Sequence, residues 1–280
     1  VARQRLQLET DLRKPIEKNE FSVLYQPIVS LDTDEVVGIE ALARWDHPEF
    51  GKISPGKFVP LAEEIGWIDA LGELVMRKAC TQIKDVFNEL ENTHDLKLSV
   101  NLSCKQFARH NLVERIAQVL EETEFPAHRI KLEITESVFF EYQDRAIEML
   151  NHLRGLGIET DIDDFGTGYS NLGYLVRLPI ATLKIDRSFV GMLSESGANR
   201  EVIRTIIMLA RNLGIKVIAE GIETEAQRDE LRNLGCDLGQ GYFFARPMTA
   251  EHFKLFLEKR TPSFVPGLGG YDPTISPHVH

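Results

Sequence analysis

The sequence predicts an α/β protein, a closed eight-stranded barrel in a single domain, and three observations lead there. Apolar strand-like runs alternate with helical stretches along most of the chain, the pattern of a mainly parallel sheet. Counted from Val23, there are eight such runs. A (β/α)8 barrel of the TIM type needs about 250 residues, and 280 are present. An open doubly wound sheet is the runner-up, but no Gly-x-Gly-x-x-Gly follows the first strand.

Residues 1–18 place Leu6, Leu12 and Ile16 among Arg, Gln, Glu and Lys, with Pro15 disturbing the end. They read as a leading helix or linker, with a solvated arm as the alternative. The barrel is expected over 19–260. Its first strand spans 23–29, where Pro27 fits an edge or strand-end position. An acidic turn leads to the second strand, 36–43. Glu40 lies inside that apolar run, and because an unpaired buried carboxylate is costly, it must have a partner. Arg44-Trp45-Asp46-His47-Pro48 then opens a Gly- and Pro-rich loop up to Pro60. In the helix over 68–90, Leu71, Leu74, Val75, Ile83, Val86 and Phe87 form a core stripe.

Alternation continues with a strand over 97–102, a helix over 105–122, a strand over 129–135, a helix over 141–156 and a strand over 158–163. A loop and short helix precede the strand 181–185. The helix 199–213 is closed by Gly214, the strand 215–219 follows, the helix 224–234 is closed by Gly235, and the strand 236–242 completes the set. Residues 261–280, rich in Pro and Gly without periodicity, read as a flexible tail.

A formal charge of −11 argues against a nucleic-acid polymer as partner, since duplex binding relies on clustered Lys and Arg. It also means that an anionic substrate is repelled unless cations reverse the local field. Cys80, Cys104 and Cys236 form no Cys-x-x-Cys pair, so neither a disulfide framework nor a zinc site is suggested and a reducing cytoplasm is expected. No run reaches the roughly 18 apolar residues of a membrane span. Val1 is not an initiator Met, and the expectation is an excised piece whose missing neighbours carry sensory or membrane-anchoring segments.

In the barrel reading, polar residues at or near successive strand ends are Glu40, Asn101, Glu133, Asp163 with Asp164, Lys184, Glu220 and Gln240. From Asn101 onward their gaps are 32, 30, 21, 36 and 20 residues, each long enough for a return crossover. They therefore belong at one rim, where barrel enzymes carry their chemistry. Adjacent acids such as Asp163 and Asp164 repel unless a divalent cation sits between them or one is protonated; a solvated turn is the bland alternative. Carboxylate and amide oxygens without His or Cys suit Mg2+ or Mn2+. Two such ions about 3.5–4 Å apart could activate a water and stabilise both oxygens of a phosphoryl displacement. Lys184 reads equally as a base, as a water-positioning cation, or as a balance for the acids. Asp186, two residues on, reads as structural.

The ordered motifs Glu40-Ala41-Leu42-Ala43-Arg44-Trp45, Asn101-Leu102-Ser103, Lys131-Leu132-Glu133-Ile134-Thr135-Glu136-Ser137, Asp163-Asp164-Phe165-Gly166-Thr167-Gly168-Tyr169-Ser170, Leu183-Lys184-Ile185-Asp186, Ala219-Glu220-Gly221-Ile222-Glu223 and Gln240-Gly241-Tyr242 resemble the EAL-domain cyclic-di-GMP phosphodiesterases. The resemblance covers roughly residues 8–258 and implies hydrolysis of cyclic di-GMP to linear 5'-pGpG with two Mg2+ or Mn2+ ions, Ca2+ being inhibitory. It assigns metal ligation to Glu40, Asn101, Glu133, Asp163, Asp164 and Glu220, and positioning of the attacking water to Lys184. Gln240 and Glu136 resemble its water-contacting members, and Glu223 the residue that secures the loop 164–170. That loop implies a homodimer. Substrate contacts implied are Gln26, Leu42, Arg44 and Pro247, with base stacking by Phe243 or Phe244. The leading segment resembles the linker after a GGDEF-type domain, which implies an upstream sensory or cyclase partner. Asp161 departs from the family's usual small residue; it must be paired or protonated, and Lys184 is one candidate partner.

Two other functions compete. One is a receptor that binds the nucleotide without cutting it and regulates a partner through a dimer; receptors of this type usually lack several ligands, and none is missing here. The other is an unrelated Mg2+-dependent barrel enzyme that forms enolates, with Lys184 abstracting the proton. The kinase-like Asp164-Phe165-Gly166 is rejected, since no His-Arg-Asp loop or Gly-rich strand precedes it.

Overall fold

The structure, a computed structural model, describes residues 7–12, 16, 20–90, 93, 95–166, 172–193 and 197–260. The strands are β1 (Ser22–Ser30), β2 (Val36–His47), β3 (Gly51–Ile53), β4 (Lys97–Leu102), β5 (Ile130–Thr135), β6 (Glu159–Phe165), β7 (Thr182–Ile185), β8 (Lys216–Ala219) and β9 (Leu238–Gly239). The helices are α1 (7–12), α2 (Pro55–Glu64), α3 (Ile68–Glu89), α4 (Cys104–Phe107), α5 (Leu112–Thr123), α6 (Ser137–Gly155), α7 (Leu172–Leu175), α8 (Arg187–Gly191), α9 (Gly197–Asn212), α10 (Glu225–Asn233) and α11 (Ala250–Arg260).

Eight strands close into the expected barrel. Strands β2, β4, β5, β6, β7, β8 and β9 run parallel in that order. Strand β1 closes the ring antiparallel to both neighbours, with Gln26 opposite Glu40 and Val29 opposite Gly239. The reason is the connection: the segment between β1 and β2 is too short for the crossover that parallel neighbours require. Pro27 is tolerated because β1 is locally an edge there, between the Tyr25–Met248 bridge and the two-residue ladder to β9. Beyond the barrel, β2 continues as a ribbon with β3, pairing Trp45 with Ile53.

Alternation sorts the side chains. Leu98, Val100, Leu132, Ile134, Ile162, Leu183, Ile185 and Val217 are buried in the apolar core with the helices. The intervening residues Ser99, Glu133, Asp161, Thr182 and Lys184 are also buried, and the Lys184–Glu133 pair and the Lys131 contacts to Asp161 and Thr182 place this face inside the ring. A barrel interior is usually filled by branched apolar side chains; here much of it is polar.

Three local expectations change. The Gly- and Pro-rich loop contains β3 and the helix α2, because Pro55 occupies the helix start, where its missing N–H costs nothing. The helix expected over 105–122 divides into α4 and α5, and α6 starts at Ser137, immediately after Glu136. At the leading segment, α1 is docked: Leu8, Leu12 and Ile16 are buried in the core, and His47 Nε2 lies 3.4 Å from Asp11. The remainder of 1–18 and the whole of 261–280 lie outside the described residues.

Candidate active site

The carboxyl ends of the strands meet around Lys184, which is wholly buried. Its Nζ lies 2.6 Å from Glu220 Oε1, 2.7 Å from Glu133 Oε2, 3.2 Å from Asp163 Oδ1 and 3.6 Å from Glu40 Oε2. Glu40 is held from both sides, by Asn101 Nδ2 donating to Oε1 and Gln240 Nε2 donating to Oε2, each at 2.7 Å. Gln240 Nε2 also lies 3.2 Å from Gln26 Oε1, which brings in the antiparallel strand β1. Glu40, Asn101, Glu133, Asp163, Lys184, Glu220 and Gln240 thus form one constellation, as expected from their strand-end positions, and Gln26 joins it from the middle of β1.

Asp163 and Asp164 are neighbours in sequence and would ordinarily point to opposite faces. The pairing of β6 with β7 slips between Ile162 and Phe165, inserting one extra residue on β6. Such a bulge re-aims a side chain. Asp164 sits in the left-handed region at φ 53°, and its N–H donates to Asp163 Oδ1 at 3.0 Å. As a result Asp163, Asp164 and Glu220 each offer an oxygen within 4.8 Å of the others. Gly166 follows at φ 97°, and a Cβ there would come within 3.0 Å of the Phe189 ring.

Electrostatics at the mouth are unbalanced. Burial works against the Glu40 carboxylate, but Lys184 with the Gln240 and Asn101 hydrogen bonds holds its pKa below the usual range. For Glu133, burial and then the Glu40 charge push the pKa well up despite Lys184. Burial, with Asp163 and Glu40, raises Glu220 to about 7 although Lys184 opposes them. Burial and the neighbouring Asp163 raise Asp164. Burial opposes the Lys184 charge, but Glu133, Glu220, Glu40 and Asp163 together raise its pKa well above normal. Glu133 Oε1 is buried with no hydrogen-bond partner, as are Glu136 Oε2 and Gln240 Oε1. A hard divalent cation fits this donor set, because it supplies the positive charge that one ammonium does not.

Some expectations shift. Asp161 does not pair with Lys184. Both of its oxygens lie 3.1 Å from Lys131 Nζ, which also donates to Thr182 Oγ1 at 2.7 Å, toward the opposite end of the barrel. Leu42 lines the cleft of about 270 Å3 at the mouth together with Glu223. Arg44 instead lines an adjoining cavity of about 760 Å3, and its Nη1 donates to the Ala43 carbonyl at 2.9 Å. Pro247 is half-buried beside the Met248 bridge to Tyr25. Phe243 and Phe244 pack edge-to-face at 5.2 Å against the core; the exposed aromatic lining the cleft is Tyr242, with the Arg246 guanidinium 4.4 Å from its ring centre. Sequence reasoning also passed over Arg187, a cleft residue whose only signal was its place three positions after Lys184. Most of the loop expected to mediate dimerisation, 167–170, lies outside the described residues.

Residues 9–247 match the family model for the EAL domain. The chain is 42% identical over 251 residues to the bifunctional diguanylate cyclase/cyclic di-GMP phosphodiesterase MucR of Pseudomonas aeruginosa, covering 89% of this chain and 36% of that protein. It is 40% identical over 256 residues to the cyclic di-GMP phosphodiesterase NbdA of the same organism, covering 91% and 32%. The chain therefore spans about a third of the length of these curated relatives. Among solved structures, the PaMucR phosphodiesterase in complex with c-di-GMP superposes with a TM-score of 0.84 at 41% identity, covering 88% of this chain and 99% of that one. The EAL enzyme Bd1971 bound to cAMP and cyclic di-GMP gives a TM-score of 0.86 at 35% identity, covering 91% and 69%.

Proposed function

The chain belongs to the EAL domain family, and from that premise we propose that it hydrolyses cyclic di-GMP to linear 5'-pGpG with two divalent cations, Mg2+ or Mn2+, held at the barrel mouth. The observation that carries this reading is the charge imbalance there: one buried ammonium faces Glu40, Glu133, Asp163 and Glu220, and a buried Glu133 oxygen has no partner. Glu40, Asn101, Glu133, Asp163, Asp164 and Glu220 are the residues that would hold the ions. When bound, the cations supply a water of lowered pKa and stabilise charge developing on the diester oxygens.

The chain's own residues do the rest. Lys184 keeps the carboxylates converged and orients the attacking water with its ammonium. Gln240 and Asn101 fix Glu40 by donating to its two oxygens. Glu136, at the start of α6, has a buried oxygen available to a water. Glu223 borders the cleft and steadies the loop that follows Asp164. Gln26 and Leu42 line the substrate side of the cleft, while Arg44 and Pro247 reach the nucleotide beyond it. In the parent protein this domain acts beside sensory or GGDEF-type segments and as a dimer through the region of 164–170. Among the described residues, no helix is long and apolar enough to cross a membrane.

The test is turnover of cyclic di-GMP by purified protein with Mn2+, with product identification. Conversion to 5'-pGpG is expected. Tight binding without turnover would establish the receptor alternative instead.

A further inference from the structure

The cleft at the mouth is walled by Asp163, Glu220, Glu223 and Glu40, and the basic side chain lining it is Arg187. Three features make this more than a solvated surface arginine. Its place is fixed at the backbone: Asp186 caps α8 by accepting from the Ser188 N–H at 3.0 Å, which sets the direction in which Arg187 leaves β7. Its stem is seated directly on Gly221, the residue after Glu220. Gly221 lies at φ 71°, and a Cβ there would come within 2.5 Å of Arg187 Cβ and 3.2 Å of its Cα. The approach therefore requires glycine at 221. Finally, with four carboxylates on the same cleft, the Arg187 guanidinium makes no hydrogen bond or ion pair among the described residues.

A guanidinium offers a planar fork of five N–H donors matched to two oxygens of a phosphate. At Arg44 part of that fork is committed to the Ala43 carbonyl. At Arg187 all of it is uncommitted. We infer that Arg187 is a further substrate-binding residue, whose guanidinium holds a phosphodiester oxygen of the bound dinucleotide at the wall of the cleft formed by Glu220 and Gly221. The inference rests on the proposed phosphodiesterase reading and deepens it. An anion entering an acidic mouth needs positive charge beyond that of the metal ions, and the guanidinium supplies it at the edge, where it acts on affinity and orientation more than on bond cleavage.

The experiment compares wild type, Arg187→Ala and Arg187→Lys in Mn2+-dependent turnover, in equilibrium binding of cyclic di-GMP in the presence of Ca2+, and in Mn2+ affinity. Loss of one charge-assisted contact is expected to raise KM and the dissociation constant about tenfold or more. The expected kcat stays within a few-fold and Mn2+ affinity is unchanged. The lysine variant recovers part of the loss, because it keeps the charge without the fork. The salt dependence of KM is expected to be shallower in Arg187→Ala than in wild type. Wild-type KM and salt dependence in the alanine variant, or a parallel fall in Mn2+ affinity, would overturn the inference. A wild-type protein that binds without cutting removes the proposed activity, yet its binding arm still decides Arg187.

Discussion

Two lysines sit inside this barrel, Lys184 fully buried at the mouth and Lys131 half-buried at the floor, and the difference between their surroundings separates function from structure. At the floor, Lys131 and Lys97 face Asp161 and Glu159, two positive groups against two negative ones. Burial opposes the Glu159 charge there, but the two lysines win and its pKa is held below the usual range. At the mouth, Lys184 alone meets four carboxylates, and burial with like charge drives Glu133 and Glu220 the other way. The floor is complete in itself. The mouth is complete only with further positive charge, which is what a divalent cation supplies.

The largest effect that could break this contrast lies in turnover. Glu40→Ala removes a carboxylate that Asn101 and Gln240 hold in place, so Mn2+-dependent hydrolysis is expected to fall by about three orders of magnitude or more, on the scale of losing a central electrostatic group. Progress curves with cyclic di-GMP would show it. Residual activity near wild type would mean that the mouth does not hold the reacting phosphate.

Next in size is a change at the floor. Asp161→Asn leaves Lys131 with Glu159 at 3.5 Å and Thr182 as its remaining partners. Losing one member of a buried pair is strongly destabilising, and because Lys131 is 13% exposed and keeps Glu159 the expected cost is reduced to about 2 kcal/mol. Urea unfolding would read that cost, while kcat is expected to stay within about threefold. A large fall in kcat with unchanged stability would make Asp161 a working part of the mouth and dissolve the distinction.

That distinction was only partly legible in the sequence. Ile158, Thr160 and Ile162 alternating with Glu159, Asp161 and Asp163 announce a strand with one apolar and one acidic face, and acids recurring at strand ends announce a shared rim. What alternation does not carry is register. Asp161 finds Lys131 because the β5–β6 pairing sets Glu133 opposite Asp161 and Lys131 one layer below, a fact invisible until the strands are paired. The bulge that turns Asp163 and Asp164 to the same side is a property of the β6–β7 ladder, so it too was hidden. The reversal of β1 was readable but overlooked: the few residues before Val36 are too few for a parallel crossover. Helix α2 was masked by Pro55 and Pro60, residues that read as loop unless Pro55 is recognised as a helix start. Arg187 carries no periodic signal; its place on the cleft wall and its seat on Gly221 emerge only from the folded barrel.

The smallest effect sharpens the contrast most, because it reverses sign between the two ends. Glu133 is folded with its pKa raised by burial and by Glu40, so its contribution to stability is full at acid pH, below the unfolded carboxylate pKa, and is lost as pH rises toward the folded value. At neutral pH in chelator, Glu133→Gln is therefore expected to stabilise the fold, by about 1 kcal/mol, since an amide keeps an acceptor for Lys184 without the buried like charge. With Mn2+ the order should invert. Wild type gains the linkage free energy of a bound ligand, about 2.7 kcal/mol at a hundred times the dissociation constant, and the glutamine variant gains much less. Thermal melts of both proteins with chelator and with Mn2+ give four numbers that decide the matter. Acid removal that destabilises in chelator, as at the floor, would show that Glu133 is balanced by Lys184 alone and that the mouth does not call for a metal.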